Sequence, residues 1–144
     1  MAVRFPSLQF FEALQQRTKE ASDVFEKLGY CDTTFGARVG DELYQVAFEV
    51  YECVGVREGG DPAELDFVLS GPADVWNEMV EVIGKHGGAD AAHTLNTLSH
   101  IGDVIDVEFV DPEGGDRFFR FMASIQEFFD QAQHLDVKLA GGSK

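Results

Sequence analysis

The sequence predicts an α+β fold in which a mostly antiparallel sheet is covered on one face by helices. Some stretches alternate apolar and polar residues with period two, and longer stretches repeat apolar residues at helical spacing. The strands are grouped between the helices, in the order α-β-β-β-α-α-β-α. Because successive strands can pair as hairpins, antiparallel pairing is expected to dominate the sheet.

The first helix is predicted to run from its N-cap Ser7 to Leu28. Serine is a favourable N-cap residue, and Gly29 stands where glycine commonly follows a helix. Apolar residues follow one stripe of the helix and charged residues the opposite face. We therefore expect one buried stripe.

Three strand segments are predicted in the next part of the chain. Cys31–Val39 and Tyr44–Val50 read as a hairpin, and the second strand is expected to continue as far as Val56. Another strand spans Leu65–Ser70 and ends at a Gly-Pro pair.

The C-terminal half is predicted to hold three helices and one strand. Asp74 is the expected cap of a helix that ends at glycines near Gly87. A short helix over residues 90–98 and a strand over 104–110 follow. Asp116 is the expected cap of the last helix.

The last helix is rich in phenylalanine and contains five of the 13 in the chain. At helical spacing its apolar residues fall within an arc of roughly 120°. Such a face either fills a core or roofs a cavity for an apolar molecule. The residues on this arc are Phe118, Phe121, Met122, Ile125, Phe128, Phe129 and Ala132.

Length and charge limit the classes of protein to consider. A chain of 144 residues fits one domain, expected over residues 1–135 and followed by a flexible tail over 136–144. The formal net charge of −15 argues against nucleic acid and anionic membranes as partners. The start of the chain has no apolar run of signal-peptide length, and no stretch is apolar enough to span a membrane. We expect a cytoplasmic protein without stable membrane insertion.

Catalytic and metal-binding motifs are absent from the sequence. The four histidines and two cysteines have no metal-ligand spacing, and phosphate-binding or nucleophile motifs are missing, so neither metal nor cofactor is expected. Asp66 and Asp106 lie on predicted strands and are candidates for a general base if buried. They define one alternative, a small isomerase or hydratase acting on a cyclic ketone. Another alternative is an accessory domain whose aromatic helix packs against a second protein.

The order of the elements and several strings resemble the sterol carrier protein 2 sterol-binding domain family. The resemblance covers roughly residues 8–133. It implies an α+β fold with a five-stranded sheet and helices enclosing a hydrophobic tunnel for sterols, fatty acids or acyl-CoA lipids, with no catalytic motif. The strings that carry it are Phe25–Gly29, Asp66–Gly71 with Trp76, His93–Leu98, Val107–Phe109, Arg117–Phe121 and Gln126–Asp130.

We therefore predict a non-catalytic carrier domain that binds a lipid-like hydrophobic molecule in an apolar cavity. A homodimer or a pathway enzyme as partner is compatible with this prediction. The residues predicted to line the cavity are Phe48, Phe67, Trp76, Met79, Ile83, Phe121, Met122, Ile125 and Phe128.

Overall fold

The computed structural model describes residues 2–88, 105–109 and 111–139. Strand β1 (Val3–Phe5) precedes α1 (Leu8–Glu20), and α2 (Ser22–Leu28) follows it. The Ser7 hydroxyl accepts a backbone N–H of the first turn of α1 at 3.1 Å, which confirms the predicted N-cap. The predicted continuous helix is wrong, because the backbone leaves helical geometry at Ala21, with φ −108° and ψ 31°.

The main sheet has five strands in the order β4-β3-β2-β5-β6. Among these described strands, β2 and β5 pair in parallel, and the other neighbours pair antiparallel. The predicted α+β architecture is therefore confirmed. The strands are β2 (Thr33–Val39), β3 (Glu42–Glu49), β4 (Glu52–Glu58), β5 (Phe67–Gly71) and β6 (Asp106–Glu108).

Strand β3 does not continue to Val56 as the sequence predicts. The chain reverses at Val50 and Tyr51, and β4 returns antiparallel along β3. Val50 has φ 61° and lies in a region that β-branched residues rarely occupy. The prediction missed this turn because the usual signal, glycine or asparagine at the position of positive φ, is absent.

Helices α3 (Ala73–His86) and α4 (Pro112–Asp130) both begin earlier than predicted. The N-cap of α3 is the proline that precedes it, not Asp74. The N-cap of α4 is Asp111, whose carboxylate accepts a backbone N–H of the first turn at 3.0 Å, and Asp116 lies inside the helix. A proline at the first position of α4 favours this earlier start, because its fixed φ suits a helix.

The C-terminal segment returns to the start of the chain. After a 3-10 turn at Gln131–His134, β7 (Val137–Leu139) pairs in parallel with β1. Regular structure therefore extends into the segment 136–144, which the sequence predicts to be flexible. Residues 140–144 and the predicted helix at 90–98 lie outside the described residues, as do both ends of the predicted strand 104–110.

The core lies between one face of the main sheet and the helices. Tyr44, Val46 and Phe48 of β3 are buried on this inner face, as their alternation predicts. Packed against them are residues of α1, α3 and α4, with Phe5 of β1. In the described part of the chain, no helix combines the length and apolar character that crossing a membrane requires.

Candidate functional site

Helices α3 and α4 present apolar faces to the inner face of the sheet. An aromatic contact joins Trp76 of α3 to Phe129 of α4, with ring centroids 5.5 Å apart. Phe118 of α4 meets Phe67 of β5 edge-on at 5.5 Å. The Trp76 indole Nε1–H donates to the Arg38 carbonyl at 3.0 Å, so α3 is also fixed to β2.

The nine residues predicted to line a cavity all lie in or against this one core. Seven of them are at most 2% exposed, whereas Phe121 and Met122 of α4 are half-buried at its margin. The periodicity of α3 and α4 thus identified a real common face. The seven are Phe48, Phe67, Trp76, Met79, Ile83, Ile125 and Phe128.

Aromatic rings pack against one another beneath α4, in the region where the sequence predicts a cavity. Phe128 meets Phe48 edge-on at a centroid distance of 5.5 Å, and Phe11 stacks on Tyr44 at 4.8 Å. Phe35 stacks on Phe67 at 5.4 Å. Offset-stacked and edge-to-face pairs are the favoured aromatic geometries, so these rings pack favourably against one another.

Several aromatic residues of this core were not predicted as part of the site. Phe11 contacts Tyr44 on one side and both Phe128 and Phe129 of α4 on another, yet it falls outside the stripe assigned to the first helix. Adjacent phenylalanines at positions 10 and 11 are both fully buried. The Phe-Phe pair itself is the sequence signal that would have found it, since adjacent helical residues are only about 100° apart and can both lie on one apolar stripe.

The margin of the core at Phe121 and Met122 retains accessible apolar surface. The Arg120 guanidinium lies over the Phe121 ring, 5.8 Å from its centroid. Met122 follows on the same side of α4 and packs only partly against the core. A flexible thioether next to a half-buried ring is suited to adapting to an apolar guest.

A groove of about 320 Å³ lies between α3 and the C-terminal segment. Its apolar walls continue from the core, because Val80 and Ala132 belong to both. Glu81 and Lys85 stand on the α3 side, with Lys85 Nζ 3.5 Å from the Glu81 carboxylate. The sequence could not indicate this groove, because β7 was not predicted. The rest of its lining is Gly84, Leu135, Asp136, Val137 and Leu139.

Asp66, one candidate base, is held by three donors. Its Oδ2 accepts from the Thr33 hydroxyl at 2.6 Å and from the Thr34 backbone N–H at 3.1 Å. Its Oδ1 accepts from Arg117 of α4 at 2.8 Å. This carboxylate therefore joins the sheet to α4, and the bonds occupy three of the roughly four lone-pair sites that it offers.

The other titratable groups considered do not form a reactive centre in the described residues. Asp106 is exposed on β6, the edge of the sheet. Burial raises the pKa of the Cys31 and Cys53 thiols from 9.0 to about 12, so both are protonated and unreactive at neutral pH. Burial also raises the pKa of Tyr44, whose hydroxyl donates to Glu42 at 2.5 Å.

These features define the class of the domain: an α+β fold with a five-stranded, mainly antiparallel sheet and helices closing one face over an aromatic core. Two solved structures share this fold. A crystal structure of sterol carrier protein 2 superposes with a TM-score of 0.64 and 12% identity, covering 90% of this chain and 97% of that chain.

The second is the solution structure of a conserved hypothetical protein from Thermus thermophilus, suggested to be a sterol carrier protein. It superposes with a TM-score of 0.56 and 15% identity, covering 94% of this chain and 92% of that chain. No family model matches the sequence, and no curated protein matches it significantly. The chain therefore has the sterol carrier protein 2 fold, as the resemblance in the sequence implied.

Proposed function

We propose that this chain is a non-catalytic binding domain that carries a lipid-like molecule of the sterol, steroid, fatty acid or acyl-CoA class. The observation that carries the proposal is the convergence of the apolar faces of α3 and α4 over the sheet, with Phe121 and Met122 left half-buried at the margin. Sterol carrier protein 2, whose structure shares the fold over most of both chains, supports the same class of ligand.

Binding at this site requires the guest to replace contacts among side chains. Met79 and Met122 have flexible side chains that can change rotamer at small cost, whereas the interlocked rings beneath them have fewer alternatives. The guest therefore enters at the Met122 margin and lies along α4 toward Trp76. The free energy of this opening is subtracted from the binding energy, as in any equilibrium between closed and open conformations.

Apolar burial supplies enough free energy for useful affinity. Covering roughly 300 Å² of ligand surface contributes about 7–8 kcal/mol at about 25 cal/mol per Å². That value alone corresponds to a Kd of about 1–10 µM, and because the costs of association and of opening reduce it, we expect a Kd weaker than about 10 µM.

Trp76 offers a direct assay because it is the single tryptophan of the chain and lies inside the proposed site. Its fluorescence is titrated with a steroid, palmitate and palmitoyl-CoA, and thermal unfolding is followed with each. We expect a saturable change in emission and a rise in Tm with at least one of them. Absence of both responses across the panel rejects the proposal.

A matched pair of variants on α4 locates the site. Met122→Glu places a carboxylate at the margin of the apolar face, and we expect it to weaken binding at least about tenfold because the guest would desolvate the charge. Ala123→Glu adds the same charge at the neighbouring exposed position and is expected to leave binding unchanged. Equal effects of the two variants would contradict entry at Met122.

A further inference from the structure

Exposed aromatic and apolar side chains lie just after the end of α2 and at the turn between β3 and β4. Tyr30 is 70% exposed, and Val50 at the β3–β4 turn is 48% exposed. Together with the adjacent Tyr51, these residues are called the hairpin-tip patch.

The hairpin-tip patch surrounds a surface hollow of about 290 Å³. Tyr30 and Gly29 form one side of this hollow, and Val50 and Tyr51 form the other. The hollow is wide enough to accept one large side chain. Tyrosine beside such a hollow is typical of the residues that dominate protein interfaces.

Val50 is held in an unfavourable backbone conformation that puts its side chain on the surface. Its φ of 61° is a region in which glycine or asparagine is comfortable and a β-branched residue is strained. The backbone is fixed on both sides, since the Val50 N–H donates to Asp32 Oδ1 and the Val50 carbonyl accepts from the Cys31 N–H, each at 2.6 Å. Packing does not explain valine here, because the side chain is half exposed. An over-determined strained residue of this kind points to function.

Acidic residues border the patch. Glu49 and Glu52 face each other across the turn, Asp32 lies beneath Val50, and Glu26 forms part of the rim of the hollow. Lys27 is the basic residue on the same turn of α2. The border is therefore negative around an apolar centre.

We propose that the hairpin-tip patch docks a partner protein that inserts an apolar side chain into the hollow and flanks it with lysine or arginine. Apolar anchors supply most of the affinity at such interfaces, and complementary charge supplies orientation and association rate. A second copy of this chain fits less well, because a symmetric contact would bring two negative borders together. This site is separate from the proposed lipid site and does not depend on it.

The test selects binders from a displayed library of short random peptides on the immobilised full chain. Selected peptides should contain an apolar residue flanked by lysine or arginine. Val50→Asn keeps the turn, since asparagine tolerates positive φ, but makes the tip polar. We expect this variant to weaken the binding of the selected peptides at least about tenfold without lowering the Tm. Phe109→Asn is the control, because Phe109 is also 48% exposed but follows β6, at the opposite edge of the sheet from β4. This variant should leave peptide binding unchanged.

Three results would overturn the proposal. One is the absence of basic-apolar peptides from the selection, or equal binding of such peptides to the parent chain and Val50→Asn. Another is a dimer by light scattering that Val50→Asn dissociates, which would assign the patch to self-association. The third is cosedimentation with phosphatidylcholine vesicles that the same variant abolishes, which would assign it to a lipid surface. Binding of the Trp76 ligand panel should be unaffected by Val50→Asn, so failure here is distinguishable from failure of the lipid-site proposal.

Discussion

At the scale of single residues, Asp66 shows how environment decides the role of a carboxylate. The sequence places Asp66 on a predicted strand among apolar residues and leaves both a catalytic and a structural role open. The structure surrounds it with Thr33, Thr34 and Arg117, each donating one hydrogen bond. Hydrogen bonds to a charged acceptor contribute more than neutral ones, so this carboxylate stabilises the join between sheet and helix.

Asp66→Ala should lower the free energy of unfolding by about 2–3 kcal/mol, because a partly buried charge and two neighbouring donors lose their partner. Urea unfolding followed by Trp76 fluorescence measures the change. Asp116→Ala is the control, since its partner Arg120 and Asp116 itself are both well exposed and such pairs contribute less than about 1 kcal/mol. Equal losses in the two variants would contradict the structural role of Asp66.

The two buried thiols predict a dependence of stability on alkaline pH. Each thiol has a pKa of about 12 in the folded protein against 9.0 in the unfolded chain. Between these values the unfolded state has released the proton and the folded state retains it. Unfolding is therefore favoured as pH rises, by up to about 1.4 kcal/mol per pH unit for each thiol.

We expect the free energy of unfolding to be flat below about pH 9 and to fall from there toward about pH 10.5, the upper limit of a practical urea titration. The double variant Cys31→Ala/Cys53→Ala should show a shallower fall, although titration of Tyr44 keeps some slope in both proteins. If the free energy of unfolding fell equally with pH in the parent and in the double variant, the thiols would not be the cause of the fall.

At the scale of elements, α4 is positioned by a close contact at its first turn. Gly114 lies against the backbone of Asp66 at the start of β5, and a Cβ built there would be 1.7 Å from the Asp66 carbonyl oxygen. Arg117, one turn later, binds the Asp66 side chain. Helix α4 is thus held against the sheet by the close approach that Gly114 permits and by an ion pair, and its aromatic face therefore points inward.

Gly114→Ala should lower the free energy of unfolding by about 3 kcal/mol or more, since backbone blocks the new methyl group and the first turn must move away from the sheet. Gly84→Ala in α3 is the matched control. A Cβ there meets nothing within 4 Å, and alanine favours a helix over glycine by about 0.5–1 kcal/mol, so that variant should be slightly more stable. Thermal unfolding of both proteins measures the contrast, and a harmless Gly114→Ala would contradict the close contact.

The elements that could be predicted from the sequence are those with strong periodicity. The inner faces of β3, α3 and α4 follow from spacing alone, and most of their predicted residues are buried, with Phe121 and Met122 half-buried at the margin. Features set by competition between local signals were missed. Asp111 and Asp116 are both plausible caps, and the proline after Asp111 decides between them. The β3–β4 turn was missed because Val50 breaks the residue preference of such turns.

At the scale of the whole molecule, the fold could be predicted from the order of the elements, whereas the packing inside the site could not. Helical spacing assigns side chains to a face, but it cannot show whether rings from several elements interlock or leave room. Phe11 and Phe35 meet Phe128 from two different elements, at 6.5 Å in each case. Such contacts depend on the relative placement of α1, β2 and α4, which involves residues far apart in the chain.

The net charge of −15 is a property of the whole chain that predicts how salt acts on stability. Like charges repel more strongly in the compact state than in the extended one, so screening should stabilise the fold. Because the Debye length shortens from about 10 Å at 0.1 M to about 3 Å at 1 M, we expect sodium chloride at about pH 7.5 to raise the Tm by several degrees across this range.

The same titration near pH 4.4, the isoelectric point calculated from the sequence, separates screening from a general exclusion of salt from the surface. There the net charge vanishes, so the rise in Tm should be much smaller if self-repulsion is its cause. An equal rise at both pH values would show instead that salt stabilises this protein without regard to its charge.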